Sequence, residues 1–292
     1  VVSLEHPIGI FDSGVGGLTV LQALRARLPR RDFIYVGDTS RVPYGRKPKA
    51  MVEAFASGIT AFLLNQGVEG VVIACNTASA ASLPELAERT PVPVWGVIDP
   101  GVEAARRLTR TGRVGVIATT GTIRSGVYQR KLEALGLSVW AQACPMFVHL
   151  VEEGLAGSPE AELLARYYLA GRPAIDTLIL GCTHYPVLRD VLQRVAGPDV
   201  QLVASAEVTA AAVAESLGPA GGAGRTIHYV TGDVQAYRHT AAVIGEVEGE
   251  VVHLDISELI ALEGAADFTA GVHVPQPTPA EPSARTPPSG GR

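Results

Sequence analysis

The sequence predicts an α/β protein of two pseudo-symmetric lobes, each a mostly parallel sheet flanked by helices, with the active site in the cleft between them. Three observations carry this expectation. Short β-branched runs alternate with longer helical stretches, the pattern of strand–crossover–strand units. The runs are continuously apolar, as in Val71 Val72 Ile73 Ala74, which suits strands covered by helices on both faces. The second half also echoes the first at a nearly constant spacing. Gly9 Ile10 Phe11 Asp12 returns as Gly115 Val116 Ile117 Ala118, and Val72 Ile73 Ala74 Cys75 returns as Ile179 Leu180 Gly181 Cys182.

In chain order, strands are expected at Ile8 to Phe11, Phe33 to Val36, Gly70 to Ala74, Val92 to Val97, Val114 to Ala118 and Thr177 to Leu180. A helix over Glu207 to Leu217, a strand at Ile227 to Val230, a helix from about Asp233 to Val243 and a strand at Glu250 to Leu254 follow. The expected first lobe is residues 1–97 with about 208–264, and the second is 98–207. Six prolines between Pro275 and Arg292 leave little to bury, so 265–292 reads as a disordered Pro-rich tail.

The 292 residues, 47% hydrophobic and 18% charged, suffice for a large core divided between two lobes. A net charge of -5 offers no basic surface on the scale that nucleic acid or an anionic membrane requires. Val1 to Pro7 lacks the pattern of a secretion signal, and no stretch has the length of apolar residues that a membrane span needs, so the expected location is cytoplasmic. Cys75, Cys144 and Cys182 are far apart and form no CxxC or Cys/His metal spacing. Neither a disulfide framework nor a metal site is therefore expected.

In open α/β sheets the ligand crevice lies beyond the carboxyl ends of the strands. Four polar clusters fall there: Asp12 to Gly17, Gly37 to Thr39 with Pro43 Tyr44 Gly45, Cys75 to Ser79, and Gly181 to Pro186. A cysteine that follows a strand and opens a helix gains from the free N–H groups of the first turn. Cys75 and Cys182 both read this way; the alternative is a small buried hydrophobe. Cys144 lacks such a context and reads as structural.

Two related lobes facing one another would place one thiol on each wall of the cleft. That arrangement suits inversion at a carbon: one thiol removes a proton from one face, and the other delivers a proton to the opposite face. Asn76, Thr77 and Thr183 offer neutral donors and acceptors beside the thiols. Thr119 and Thr122 follow the Val114 to Ala118 strand and can bind an amino acid similarly, or act as ordinary N-caps. Asp12 is placed to support one thiol and His184 the other; capping and packing are their alternatives. Asp38 either orders its Thr39 loop or acts in the site.

The Gly14 to Gly17 cluster does not complete GxGxxG, because Thr19 occupies the last small position. Asp38 stands where a ribose-binding acid would, which keeps a dinucleotide reading open, though a close backbone turn explains the glycines equally well. Lys47, Lys49 and Lys131 are the three lysines, and all lie in polar or charged stretches. A Schiff-base lysine for pyridoxal phosphate is thus unlooked for, and no cofactor is expected.

Across Ile8 to Ile256 the sequence resembles glutamate racemase, within the broader aspartate/glutamate racemase family. The matching segments are Phe11 to Gly17, Gly37 Asp38 with Pro43 Tyr44 Gly45, Cys75 to Ser79, Ala118 to Thr122, and Gly181 to Pro186. The resemblance implies a cofactor-independent enzyme interconverting L- and D-glutamate for peptidoglycan synthesis, with Cys75 acting on D-glutamate and Cys182 on L-glutamate. It implies substrate contacts at Asp12, Ser13, Tyr44, Gly45, Asn76, Thr77, Thr119, Thr122, Thr183 and His184, and a possible homodimer. Cys144 to Gly154 resembles the family stretch that carries an auxiliary acid; this assigns Glu152, with adjacent Glu153 as the alternative and His149 standing where many members have proline. Aspartate racemase is the nearest competing activity, and a noncatalytic amino-acid binding protein is the competing class.

Overall fold

The computed structural model describes residues 4–218, 222–245, 247–264 and 268. Apart from Phe268, the expected tail over 265–292 lies outside the described residues. Phe268 itself is buried in the core, with the Arg89 guanidinium 5.0 Å from its ring centroid.

Among the described residues ten strands form two sheets. They are β1 (Ile8–Asp12), β2 (Phe33–Gly37), β3 (Gly70–Ile73), β4 (Val94–Gly96), β5 (Arg113–Ala118), β6 (Ser138–Ala143), β7 (Thr177–Gly181), β8 (Gln201–Ala204), β9 (Thr226–Val230) and β10 (Glu250–His253). One sheet runs β10-β9-β2-β1-β3-β4 and the other β6-β5-β7-β8, with every pairing parallel. The order β2-β1-β3-β4 in the first sheet is matched by β6-β5-β7-β8 in the second. The internal echo in the sequence is therefore structural: β1 corresponds to β5 and β3 to β7.

Alternation explains why the central strands are apolar throughout. Along β1, Ile8 and Ile10 enter one core cluster while Phe11 enters the cluster on the other face. Along β7, Leu178 and Leu180 face one way and Ile179 the other. Each side chain of this size contributes about 1.5–3 kcal/mol on full burial, so a polar residue on either face would be costly. Helices packed on both sides of each sheet supply the opposing surfaces. Among the described residues no helix is long and apolar enough to cross a membrane.

Two strands escaped the sequence pattern. β6 and β8 are the edges of the second sheet. β6 is partly exposed along most of its length, and β8 has only four residues. An edge strand has less need of a continuous apolar run than a central one. Recognition of β6 also corrects the context of Cys144, which sits between that strand and the helix Met146–Glu152, a strand-to-helix junction where none was expected.

Helix packing depends on one close approach in the first lobe. A Cβ on Gly58, in the helix Lys49–Asn65, would stand 2.6 Å from the Leu259 carbonyl oxygen of the helix Ile256–Leu262. A backbone atom cannot yield as a flexible side chain can. Gly58→Val is expected to lower the free energy of unfolding by about 1–3 kcal/mol through overpacking, measured by urea denaturation; unchanged stability would show that the two helices separate freely.

Candidate functional site

The two echoed strands β3 and β7 end at the two cysteines. Cys75 adopts extended backbone (φ -67°, ψ 120°) as the N-cap of the helix Asn76–Arg89. It is 6% exposed, and its thiol donates to Ser13 Oγ at 3.8 Å. Burial pushes this thiol up to about 12, and the charge of Asp12 adds to that rise. Hydrogen bonds from the Ala78 amide and with Ser13 pull the other way. At neutral pH Cys75 is therefore a protonated thiol.

Cys182 departs from the expectation that it opens an α-helix. After β7 the chain bends through Thr183 and His184 into a 3₁₀ turn, Tyr185–Leu188, with Pro186 near its start. The α-helix Arg189–Ala196 begins only after that turn. A single 3₁₀ turn cannot provide the dipole of a long helix. A side chain stands there instead: His184 Nδ1 lies 3.8 Å from Cys182 Sγ.

His184 is almost fully buried, and its Nε2 donates to Glu152 Oε1 at 2.9 Å. Burial alone would lower its pKa, but hydrogen bonds with Cys182 and Glu152 more than offset this and hold it up at about 10. The protonated ring thus presents a cationic N–H to the Cys182 sulfur while Glu152, 31% exposed at its side chain, balances the charge from behind. Of the two adjacent carboxylates, Glu152 makes this contact, and Glu153 is exposed.

Asp12 is completely buried at the end of β1. One carboxylate oxygen accepts from the Gly14 amide at 2.9 Å and the other from Thr183 Oγ1 at 3.4 Å. Burial raises its pKa, opposed first by the charge of His184. Asp12 is not the helix cap: the helix Leu18–Arg27 starts at Gly17, without a side-chain cap. Its bond to Thr183 instead crosses from the first lobe to the second. Thr19 makes a second crossing, donating from Oγ1 to the Thr183 carbonyl at 3.1 Å.

Three hydroxyls meet at the boundary between the lobes. Thr77 Oγ1 is 2.9 Å from Thr119 Oγ1 and 3.2 Å from Thr122 Oγ1, and the latter two are 3.0 Å apart. Thr119 is also the N-cap of the helix Thr120–Ser125, accepting from the Thr122 amide, so its capping role is realised. Asn76 accepts from the Tyr128 hydroxyl at 2.8 Å, while its buried Nδ2 has no partner among the described residues. An unsatisfied buried donor is costly, and this one stands on the residue that follows Cys75.

Tyr44 is buried with its hydroxyl committed to Asp38. Asp38 also accepts from Arg41 Nε at 2.7 Å and from Thr231 Oγ1 at 2.9 Å. These bonds occupy both oxygens of the acid that a dinucleotide reading would assign to ribose. The same loop turns Gly45 toward the other lobe, where a Cβ would stand 2.9 Å from Thr119 Cβ. Cys144 plays no such part: it is buried, and its thiol donates to the Gln142 carbonyl at 3.6 Å.

Sequence reasoning missed Tyr128, which holds Asn76 from across the lobe boundary, and Gly16. A Cβ on Gly16 would stand 2.3 Å from Thr183 Oγ1 and 2.5 Å from His184 Nδ1. Tyr128 carried no signal, since it lies within an ordinary helix, Val127–Ala134. Gly16 was visible only as one member of a glycine cluster.

Residues 17–213 match the family model described as Asp/Glu/Hydantoin racemase. The chain is 53% identical over 261 residues to a glutamate racemase of Thermus thermophilus, covering 87% of this chain and 98% of that protein. Among solved structures, it resembles glutamate racemase from Thermus thermophilus in complex with β-chloro-D-alanine, with a TM-score of 0.81 and 52% identity over 86% of this chain and 98% of the other. It also resembles glutamate racemase from Francisella tularensis in complex with D-glutamate, with a TM-score of 0.78 and 33% identity over 87% and 98% of the two chains.

The charge on His184 makes two measurements decisive. A group whose folded pKa lies above its ordinary value adds stability that is complete below about pH 6.5. That stability is lost as pH rises through about 10. By NMR, His184 is expected to titrate near 10, and Glu152→Gln is expected to move the midpoint down and shrink the alkaline loss of stability. A wild-type midpoint near 6.5 would remove the cationic partner of Cys182. Gly16→Ala is expected to lower the same midpoint by displacing the Thr183–His184 segment, with the protein still folded.

Proposed function

This chain belongs to the Asp/Glu/Hydantoin racemase family, and from that premise we propose that it interconverts L- and D-glutamate by two-cysteine proton transfer at the α-carbon. The observation that carries this reading is a pair of buried thiols, one from each lobe, at equivalent strand ends with unlike partners. In the L-to-D direction, Cys182 takes the α-proton and Cys75 returns a proton on the opposite face. The reverse direction exchanges the roles.

The partners fit that division. Cys75 is held as a thiol at neutral pH, ready to donate. Cys182 has the His184 imidazolium beside it, and a sulfur that must carry negative charge is favoured by such a donor. The Nδ2 of Asn76, unpartnered among the described residues, the hydroxyls of Thr77, Thr119 and Thr122, and Thr183 are neutral groups suited to the substrate's ammonium and carboxylates. Ser13 and Asp12 support Cys75, and Glu152 supports Cys182 through His184. Gly45 and Tyr44 complete the wall, Gly45 by admitting Thr119 closely and Tyr44 by fixing its loop to Asp38.

A carbanion-like species at an amino acid's α-carbon needs strong electrostatic support. In a closed, low-dielectric site each oriented donor is worth far more than in water. The two thiols supply both proton transfers, so this reading needs no cofactor. None of the three lysines is buried, as a Schiff-base lysine would ordinarily be. On this reading the product D-glutamate supplies peptidoglycan synthesis, and the enzyme works in the cytoplasm.

Cys75→Ser and Cys182→Ser are each expected to lower racemisation, followed by circular dichroism, by at least about 10²–10⁴-fold while the thermal unfolding profile is retained. In heavy water the newly formed enantiomer is expected to carry deuterium at the α-carbon. Full activity in either variant, or product bearing only protium, would refute the two-thiol mechanism. Faster turnover of aspartate than glutamate would reassign the substrate, and saturable glutamate binding without α-deuterium release would make the protein a binder.

A further inference from the structure

Cys75 and Cys182 are only 6% and 5% exposed, so a substrate has to reach their sulfurs through the boundary between the lobes. A cleft of about 650 Å³ lies at that boundary. The first lobe contributes Gly45 and Thr77 to its wall, two residues of the site described above, and the second contributes Thr120, Gly121, Arg124 and Ser125. Four other surface clefts each stay within one lobe and touch none of the site residues.

The charge of this cleft is unlike that of the whole chain. Its lining includes Arg46, Lys47, Lys49 and Arg124 and no carboxylate, in a protein of net charge -5. Lys49 is paired with Glu53 at 2.7 Å. Arg46, Lys47 and Arg124 form no salt bridge among the described residues, and Lys47 lies 5.9 Å from the Phe55 ring centroid. Unpaired cations gathered on a concave wall focus positive potential there and raise the local concentration of anions. Two of them come from the loop after β2 and one from the helix after β5, so the field arises from both lobes.

We propose that this basic cleft is the entrance to the site and captures the substrate as an anionic amino dicarboxylate, with Arg46, Lys47 and Arg124 drawing it toward the Thr77 and Gly45 wall. The inference rests on the glutamate racemase reading and adds the route by which the substrate arrives. Near neutral pH, glutamate carries a net charge of about -1. The cations lie outside the cluster that surrounds the sulfurs, so they act on the encounter and not on the proton transfers.

The test is the rate of glutamate racemisation by circular dichroism at fixed pH, from about 0.01 M to about 1 M sodium chloride. Over that range the screening length falls from about 30 Å to about 3 Å. For the unmodified protein kcat/KM is expected to fall with salt while kcat holds. The triple variant R46Q/K47Q/R124Q is expected to lose about tenfold in kcat/KM at low salt, to flatten the salt dependence and to keep kcat within about twofold. The charge-conserving R46K/R124K is expected to keep the original slope. A triple variant with unchanged kcat/KM and slope, or one whose loss falls in kcat, overturns the capture role while the racemase reading stands. An unmodified protein that does not racemise glutamate overturns that reading and this proposal together.

Discussion

The structure depends on two lobes approaching one another closely enough to bury a sulfur from each. Side chains would hold the lobes apart at the points where they meet, and glycine removes them: Gly16 lies under Thr183 and His184, and Gly45 lies against Thr119. The gaps are then spanned by hydrogen bonds between lobes, from Thr183 to Asp12, from Thr19 to the Thr183 carbonyl, from Tyr128 to Asn76, and among Thr77, Thr119 and Thr122. Most of the groups involved are buried and Thr19 and Thr119 are partly so, so these bonds offset a desolvation cost that would otherwise oppose the approach of the lobes.

Closure over two sulfurs creates a problem of charge that the two lobes solve differently. A buried thiol resists ionisation, and at Cys75 the neighbouring charge of Asp12 strengthens that resistance. At Cys182 the neighbour is His184, held cationic by Glu152 against its own burial. Backbone symmetry therefore coexists with electrostatic asymmetry. The strands repeat, in the order β2-β1-β3-β4 and β6-β5-β7-β8, while the residues at their ends diverge, as Asp12 at the end of β1 against Ala118 at the end of β5 shows.

How much of this was legible in the sequence follows from what each feature costs to change. Strands β1, β3, β5 and β7 were readable because burial on both faces demands apolar residues at every position. Strands β6 and β8 were not, because an edge permits polar and partly exposed ones. The junction at Cys182 was misread as a helix start since β7 ends as β3 does, and Pro186 gave no unambiguous sign that a 3₁₀ turn would intervene. His184 as the neighbour of Cys182 was readable from two-residue proximity, whereas its contact with Glu152 and the hold of Tyr128 on Asn76 depend on tertiary packing that no local pattern encodes. Glu152 and Glu153 are chemically the same in sequence and are separated only by which one the helix Met146–Glu152 turns inward.

The asymmetry extends to how each sulfur is connected to its surroundings. From Cys182 a continuous line runs through the buried His184 ring to Glu152, whose carboxylate is partly exposed. From Cys75 the contact is to Ser13, next to a fully buried Asp12 whose oxygens are taken by Gly14 and Thr183. Among the described residues, a proton on the first sulfur has a hydrogen-bonded path outward, and one on the second has none of comparable length. Because a group's charge state can be reset only as fast as its proton can leave, the two thiols are not interchangeable even where the backbone beneath them is.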